Sequence, residues 1–191
     1  YVADAALAAV RVRKIGADGH AVGFIGSNGW EPGQFLDIAG LTVDAAGNLY
    51  VSDSKLCRIQ KFSPAGALLL NFGQPGTGAG QFSAPHGLTV DGAGNIYVAD
   101  TDNCRIQKFD PTGHFVAMWG DSTGDLFLYP TSVAVDATGN IFVADPREDR
   151  ICKLSPAGSL LATWPAASAA ARAYGLCVDA AGTVYGSAGK S

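Results

Sequence analysis

The chain repeats itself. Four segments share one pattern: GLTVDAAGNLYVSD ending at Asp53, GLTVDGAGNIYVAD ending at Asp100, SVAVDATGNIFVAD ending at Asp145 and GLCVDAAGTVYGSA ending at Ala188. A fifth copy is entered midway, as YVAD at Tyr1–Asp4. The first aspartates stand at 44, 91, 136 and 179, so the period shortens from 47 to 45 to 43 residues. A period of that length restricts the fold to stacked units, since one unit alone cannot bury its apolar faces.

Each unit has a second half. RIQKF (Arg58–Phe62), RIQKF (Arg105–Phe109) and RICKL (Arg150–Leu154) occupy one register, and RVRKI (Arg11–Ile15) joins them after a two-residue insertion. A turn follows (SPAG, DPTG, SPAG, and ADG in the first copy), then an apolar run such as ALLLNFG or HFVAMWG, then a loop such as PGTGAGQF. GLTVD and NIYVAD are β-branched and aromatic segments joined by a D-x-x-G-N turn, which reads as a hairpin. RIQKF and the apolar run make a second hairpin across P-x-G. The 25 glycines fit a chain that needs this many turns. Four short strands per unit, repeated radially with no helices, predict an all-β β-propeller of four-stranded antiparallel blades.

These residues resemble a known family. The pattern running from G-(L/V)-x-V-D-x-x-G-N through Y-V-(A/S)-D to R-I-Q-K-F is similar to the NHL repeat, and DTDNCRIQKFDPTG (Asp100–Gly113) is nearly its consensus. The resemblance covers almost the whole chain and implies a propeller that usually has six blades. The strand count then predicts a partial blade at 1–27, whole blades at about 39–72, 86–119 and 132–164, and a partial blade at 174–188. That is about four blades of a larger ring, with Tyr1–Asp4 and Thr183–Ala188 claiming the same strand position.

An acid stands five residues before an arginine in three units: Asp53 and Arg58, Asp100 and Arg105, Asp145 and Arg150. An active site needs asymmetry, so recurrence in every unit marks these as structural ion pairs that pin a loop to its own or the next blade. Asp44, Asp91, Asp136 and Asp179 are expected to cap their turns through Asx-type bonds. The repeat absorbs eight of the 13 cations, which leaves Arg13, Lys55, Arg147, Arg172 and Lys190 against 17 acids. That is a poor surface for tracking phosphates and argues against nucleic acid as a partner. No run approaches the ~18–20 apolar residues of a membrane span.

Function is expected on the face that carries the loops between the second and third strands together with the inter-blade loops, because variation concentrates there. Trp30, His86, Thr131, Arg147 and Tyr174 are the binding-face candidates. His86 opens an innermost strand near the channel mouth. Peptidyl-hydroxyglycine lyases, whose propeller resembles NHL blades, hold zinc through a P-H-x-x position in several blades. Here that position is filled once, by His86 in APHG, and its equivalents are Ala39, Thr131 and Tyr174. One histidine cannot make a zinc site. Cys57, Cys104, Cys152 and Cys177 form no CxxC pair, and neither a phosphate loop nor a nucleophile elbow occurs. No catalytic residue, metal site or cofactor is expected, and the compartment is not legible. The reading is a non-catalytic scaffold whose loop face binds a protein or peptide, within a larger assembly or as another copy on an open blade edge. A metal-dependent lyase or hydrolase is the alternative, with RNA binding behind it.

Overall fold

The computed structural model describes residues 1–6, 9–121, 123–165 and 171–190. Strands β1 (Val2–Ala6), β2 (Ala9–Ile15) and β3 (Ala21–Ile25) form a three-stranded sheet, and β4 (Ser27–Asn28) and β5 (Gln34–Phe35) pair within the loop that follows. Three four-stranded antiparallel sheets come next. The second sheet holds β6 (Ile38–Val43), β7 (Leu49–Asp53), β8 (Arg58–Phe62) and β9 (Leu68–Phe72). The third holds β10 (Pro85–Val90), β11 (Ile96–Asp100), β12 (Arg105–Phe109) and β13 (Phe115–Gly120). The fourth holds β14 (Ser132–Val135), β15 (Ile141–Asp145), β16 (Arg150–Leu154) and β17 (Leu160–Pro165). A two-stranded sheet, β18 (Ala171–Val178) and β19 (Val184–Lys190), ends the described chain.

Within each full sheet the strands lie side by side in chain order, as in an up-and-down blade. The innermost strands β6, β10, β14 and β18 pack in succession. Three residues from each of them line one cavity of about 380 Å³, from Leu41–Val43 round to Leu176–Val178. The sheets therefore fan about a shared axis, and the fold is an all-β propeller arrangement. Two single-turn 3-10 segments, Thr101–Asn103 and Pro146–Glu148, are the helical turns among the described residues; they sit between the second and third strands of their sheets. Among the described residues no helix is long and apolar enough to cross a membrane.

The second strands are the core. Every residue of β7, β11 and β15 is buried, because each is covered by a neighbouring sheet on both faces. Between sheets the apolar clusters are continuous: Tyr50 and Ile59 of the second sheet meet Leu88, Ile96, Val98 and Phe109 of the third. The three loops ahead of the second, third and fourth sheets each drive a phenylalanine into their own seam. Phe35, Phe82 and Phe127 are all fully buried.

The turns explain the D-x-x-G-N signature. Asp44 Oδ1 accepts hydrogen bonds from the backbone N–H groups of Ala46 and Asn48 at 3.0 and 2.8 Å, and Oδ2 accepts one from the Asn48 amide at 2.8 Å. Asp91 and Asp136 repeat the set, and Asp179 repeats the backbone bonds. The following glycines, Gly47, Gly94, Gly139 and Gly182, stand at φ +81° to +85°, where a side chain would be strained. On the outermost strands a bulge recurs at Val22, Leu69, Val116 and Leu161. Such bulges twist an exposed edge away from pairing.

Candidate functional site

The recurrent arginines do more than pair with acids. Arg105 Nε donates to Asp100 Oδ2 at 2.7 Å, while its terminal nitrogens donate to the carbonyls of Thr77, Gly78 and Gln81 at 2.7–2.9 Å. Arg58 sends its donors to the carbonyls of Trp30, Glu31 and Gln34 at 2.8–2.9 Å. Its partner across the strands, Asp53, instead accepts from the backbone N–H groups of Leu36, Asp37 and Leu56, so the expected contact pair becomes two separate loop clamps. Arg150 lies 3.6 Å from Asp145 and reaches one carbonyl, that of Leu126. Each arginine therefore pins the loop entering its own sheet. Gln60 and Gln107 reinforce this by bridging Gly33 to Gln34 and Gly80 to Gln81; the fourth sheet has Cys152 there.

With those loops fixed, three side chains outside the repeat, His86, Tyr129 and Arg147, come into contact beside the start of an innermost strand. The innermost strands bulge next to Ala39 and His86, which re-aims those residues out of the regular pleat, and the register of β18 shifts likewise between Ala173 and Gly175. His86 is half-buried, and its ring meets the edge of Tyr129 at 6.4 Å. The guanidinium of Arg147 lies over Tyr129 at 4.1 Å. Burial pushes the His86 pKa below its ordinary value, a shift that Asp102 and Asp37 partly offset. His86 is accordingly neutral at pH 7. Asp37 accepts a hydrogen bond from Ser54 Oγ, and Asp102 and Arg147 are exposed on the loops between second and third strands.

Thr131 lies elsewhere than on an open face. It is buried, its N–H donates to the Ala144 carbonyl at 3.0 Å, and its own carbonyl accepts from Gly87 N–H at 2.9 Å, which makes it part of the channel wall. Trp30 is 72% exposed on the loop ahead of the second sheet. Among the described residues the ring contacts join His86, Tyr129 and Arg147 but not Trp30. Tyr174 belongs to β18, and its side chain lies outside the described residues. Tyr129, Asp37 and Asp102 complete the cluster without any motif of their own. Aligning the loops on Phe35, Phe82 and Phe127 finds two of them: Asp37, Ala84 and Tyr129 each stand two residues after the buried ring.

Among the described residues no three of His, Cys, Asp or Glu gather as a metal-holding group. The cluster offers a stacked aromatic–guanidinium plane, a neutral imidazole and two carboxylates. It can hydrogen-bond and stack, and it presents no activated nucleophile.

Residues 82–109 match the NHL repeat family. No curated protein matched in the sequence comparison. Among solved structures the chain is similar to a streptogramin B lyase, with TM-score 0.69 and 16% identity over 93% of this chain and 55% of that one. It is also similar to virginiamycin B lyase from Staphylococcus aureus, with TM-score 0.66 and 13% identity over 94% and 56%. Hydrazine synthase from Kuenenia stuttgartiensis gives TM-score 0.61 and 11% identity over 83% and 45%. The chain thus spans about half the length of these structures, and at such identities the likeness is one of fold.

Proposed function

With an NHL repeat on a propeller arrangement as the premise, we propose that the chain is a binding platform whose loop face holds a protein or peptide segment around His86, Tyr129 and Arg147. The observation that carries this is the division of labour among side chains. The repeated polar groups are consumed in clamping loops and turns, whereas three side chains outside the repeat, His86, Tyr129 and Arg147, are in ring contact with one another. Arginine and tyrosine are the residue types that anchor interfaces, and their stacked pair keeps guanidinium donors free for a partner's carbonyl or carboxylate.

Selection of a displayed random-peptide library on the folded chain tests the reading. Enriched peptides are expected to lose about tenfold or more in affinity on Arg147→Ala or Tyr129→Ala, a loss of roughly 1.4 kcal/mol, and to ignore Leu69→Ser on the outer rim. No enrichment, or binding indifferent to both face substitutions, would overturn it. The likeness to the lyases favours a second reading. One structure of virginiamycin B lyase, a catalytically inactive variant, was solved with quinupristin. Turnover of quinupristin by this chain, followed by mass spectrometry with added divalent metal, would replace the platform with an enzyme.

A further inference from the structure

The cluster around His86 is acidic at one end and cationic at the other. Asp37, Ala84 and Tyr129 hold one position in three successive loops, two residues after the buried phenylalanine. His86 stands near the start of β10, so Asp37 enters the sheet before it and Tyr129 the sheet after it. Hydrogen bonds across the seam hold that order. Ser52 Oγ donates to the His86 carbonyl at 2.5 Å, and nearby Ser54 donates its N–H to the Asp37 carbonyl at 2.9 Å and its Oγ to Asp37 Oδ2 at 2.5 Å. The third sheet adds Asp102, whose N–H donates to the Ser83 carbonyl at 3.1 Å. Round the axis the sequence is therefore Asp37, then His86 with Asp102, then Tyr129 with Arg147 stacked on it.

The charges at both ends are unspent. The strand-end acids Asp53, Asp100 and Asp145 each accept loop N–H groups, at 2.7–3.0 Å. Asp37 Oδ1 accepts no hydrogen bond from the described residues, and Asp102 is exposed. Among the described residues neither carboxylate forms an ion pair, and neither does Arg147. The ring between the two acids does not neutralise them, because burial keeps His86 uncharged at pH 7. The surrounding loops have the same sign. Residues 26–37, 54–57, 73–84, 101–104, 121–131 and 146–149 hold seven carboxylates against two cations, Lys55 and Arg147. That excess of five is larger than the net charge of the whole chain, −4. A segment docking here meets a negative field with one positive spot beside the aromatic ring.

We propose, resting on the platform reading, that the peptide segment bound at this site is basic: it lays a lysine or arginine side chain across His86 between Asp37 and Asp102, and turns a carbonyl or carboxylate of its own to Arg147. Asp37 Oδ1 and the Asp102 carboxylate accept donors from the cationic head, and charge-assisted bonds of this kind are the stronger ones. The uncharged imidazole lies under the apolar stem of that side chain. Arg147, held flat on Tyr129, offers its planar fork of donors to the acceptor. Because the acids and the guanidinium stand at opposite ends of the cluster, the segment binds in one chain direction. An acidic segment gains one cation and faces seven carboxylates, a juxtaposition that suppresses wrong partners.

The displayed random-peptide library, followed by fluorescence anisotropy on labelled synthetic copies of the selected peptides, tests this. Selected peptides are expected to share a lysine or arginine. Affinity should fall about tenfold when that residue is replaced by alanine, on Asp102→Asn in the chain, and on raising sodium chloride from about 50 to about 500 mM. Asp102→Lys should reverse the preference, so that a peptide with glutamate in place of its lysine binds this variant more tightly than it binds the parent. Asp18→Asn, an exposed acid in the turn between β2 and β3, should change affinity by less than about twofold. Selected peptides without a basic residue, indifference to Asp102→Asn, or an equal loss on Asp18→Asn overturns the basic segment. If such peptides still lose affinity on Arg147→Ala or Tyr129→Ala, the platform stands without it; no selected peptides at all overturns both. Should an Asp102 variant lose its far-ultraviolet circular dichroism, the alanine peptide and the salt series on the unmodified chain decide. Affinity unmoved by either refutes the basic segment.

Discussion

Replacing the three clamp arginines by methionine ranks them by what they hold. Arg105→Met removes five donated bonds, one of them to Met118 Sδ, leaves the buried Asp100 without its guanidinium, and takes a donor from each of the carbonyls of Thr77, Gly78 and Gln81. The side chain is only 5% exposed, so water cannot repair the loss. Breaking a buried pair in this way costs about 3–5 kcal/mol, even though Asp100 keeps bonds from Asn103, Gln107 and Ser83. For a chain of this length that is a fall in Tm of roughly 6–20 °C. Arg150→Met should cost far less. Arg150 is 27% exposed, reaches one carbonyl and sits 3.6 Å from its acid, which argues for about 1–2 kcal/mol. Arg58, with three carbonyls, no close carboxylate and an unpartnered Nε, falls between. Thermal unfolding followed by circular dichroism at pH 7 measures all three. Equal losses at Arg105 and Arg150, or a loss under about 1 kcal/mol at Arg105, would refute the clamp.

Gly87→Ala should destabilise by about 1–3 kcal/mol, the usual cost of overpacking, because its Cβ would stand 2.7 Å from the Thr131 carbonyl and 2.8 Å from Ser132 Cα; a denaturation midpoint unchanged from the parent would show that the innermost strands can separate. Acid should act through His86 before it reaches the carboxylates. Its folded pKa lies below the ordinary value of about 6.5, so the unfolded chain takes the proton first, and this stability, intact above that pH, is lost as pH falls towards the folded pKa. A His86→Gln variant should flatten the stability profile below about pH 6.5, and an unaltered slope there would contradict the burial of the ring.

The parts of this molecule that could be read from its letters are those whose partners lie close in sequence. Asp44 bonds to residues two and four positions on, so the D-x-x-G-N string already contains the whole turn. Strand number and order followed from the same local rhythm. The arginine fan was out of reach because its acceptors are main-chain carbonyls 24–28 residues upstream, and a carbonyl has no letter of its own. Phe35, Phe82 and Phe127 looked like loop residues because glycine-rich context hides a plug. Thr131 shares the register of His86, yet the shorter loop before it seats it inside the wall, so register alone could not separate a lining residue from a buried one.

The same asymmetry explains why the candidate site was only partly visible. A repeat protein solves its stability problem identically in every unit, so any residue the period predicts is accounted for by packing before function is considered. Information about a ligand can reside only in departures from the period. Those departures sit in loops of unequal length, where alignment is weakest. His86 was found because its strand is regular on its C-terminal side; Tyr129 was missed because the loop ahead of it is ten residues from Gly120 to Tyr129 where the preceding one takes twelve from Gly73 to Ala84. Folding removes the ambiguity by anchoring each loop at two fixed points, a buried phenylalanine and an arginine fan. Between those anchors, insertion and substitution cost little, so the loop face can vary while the blades beneath it stay the same.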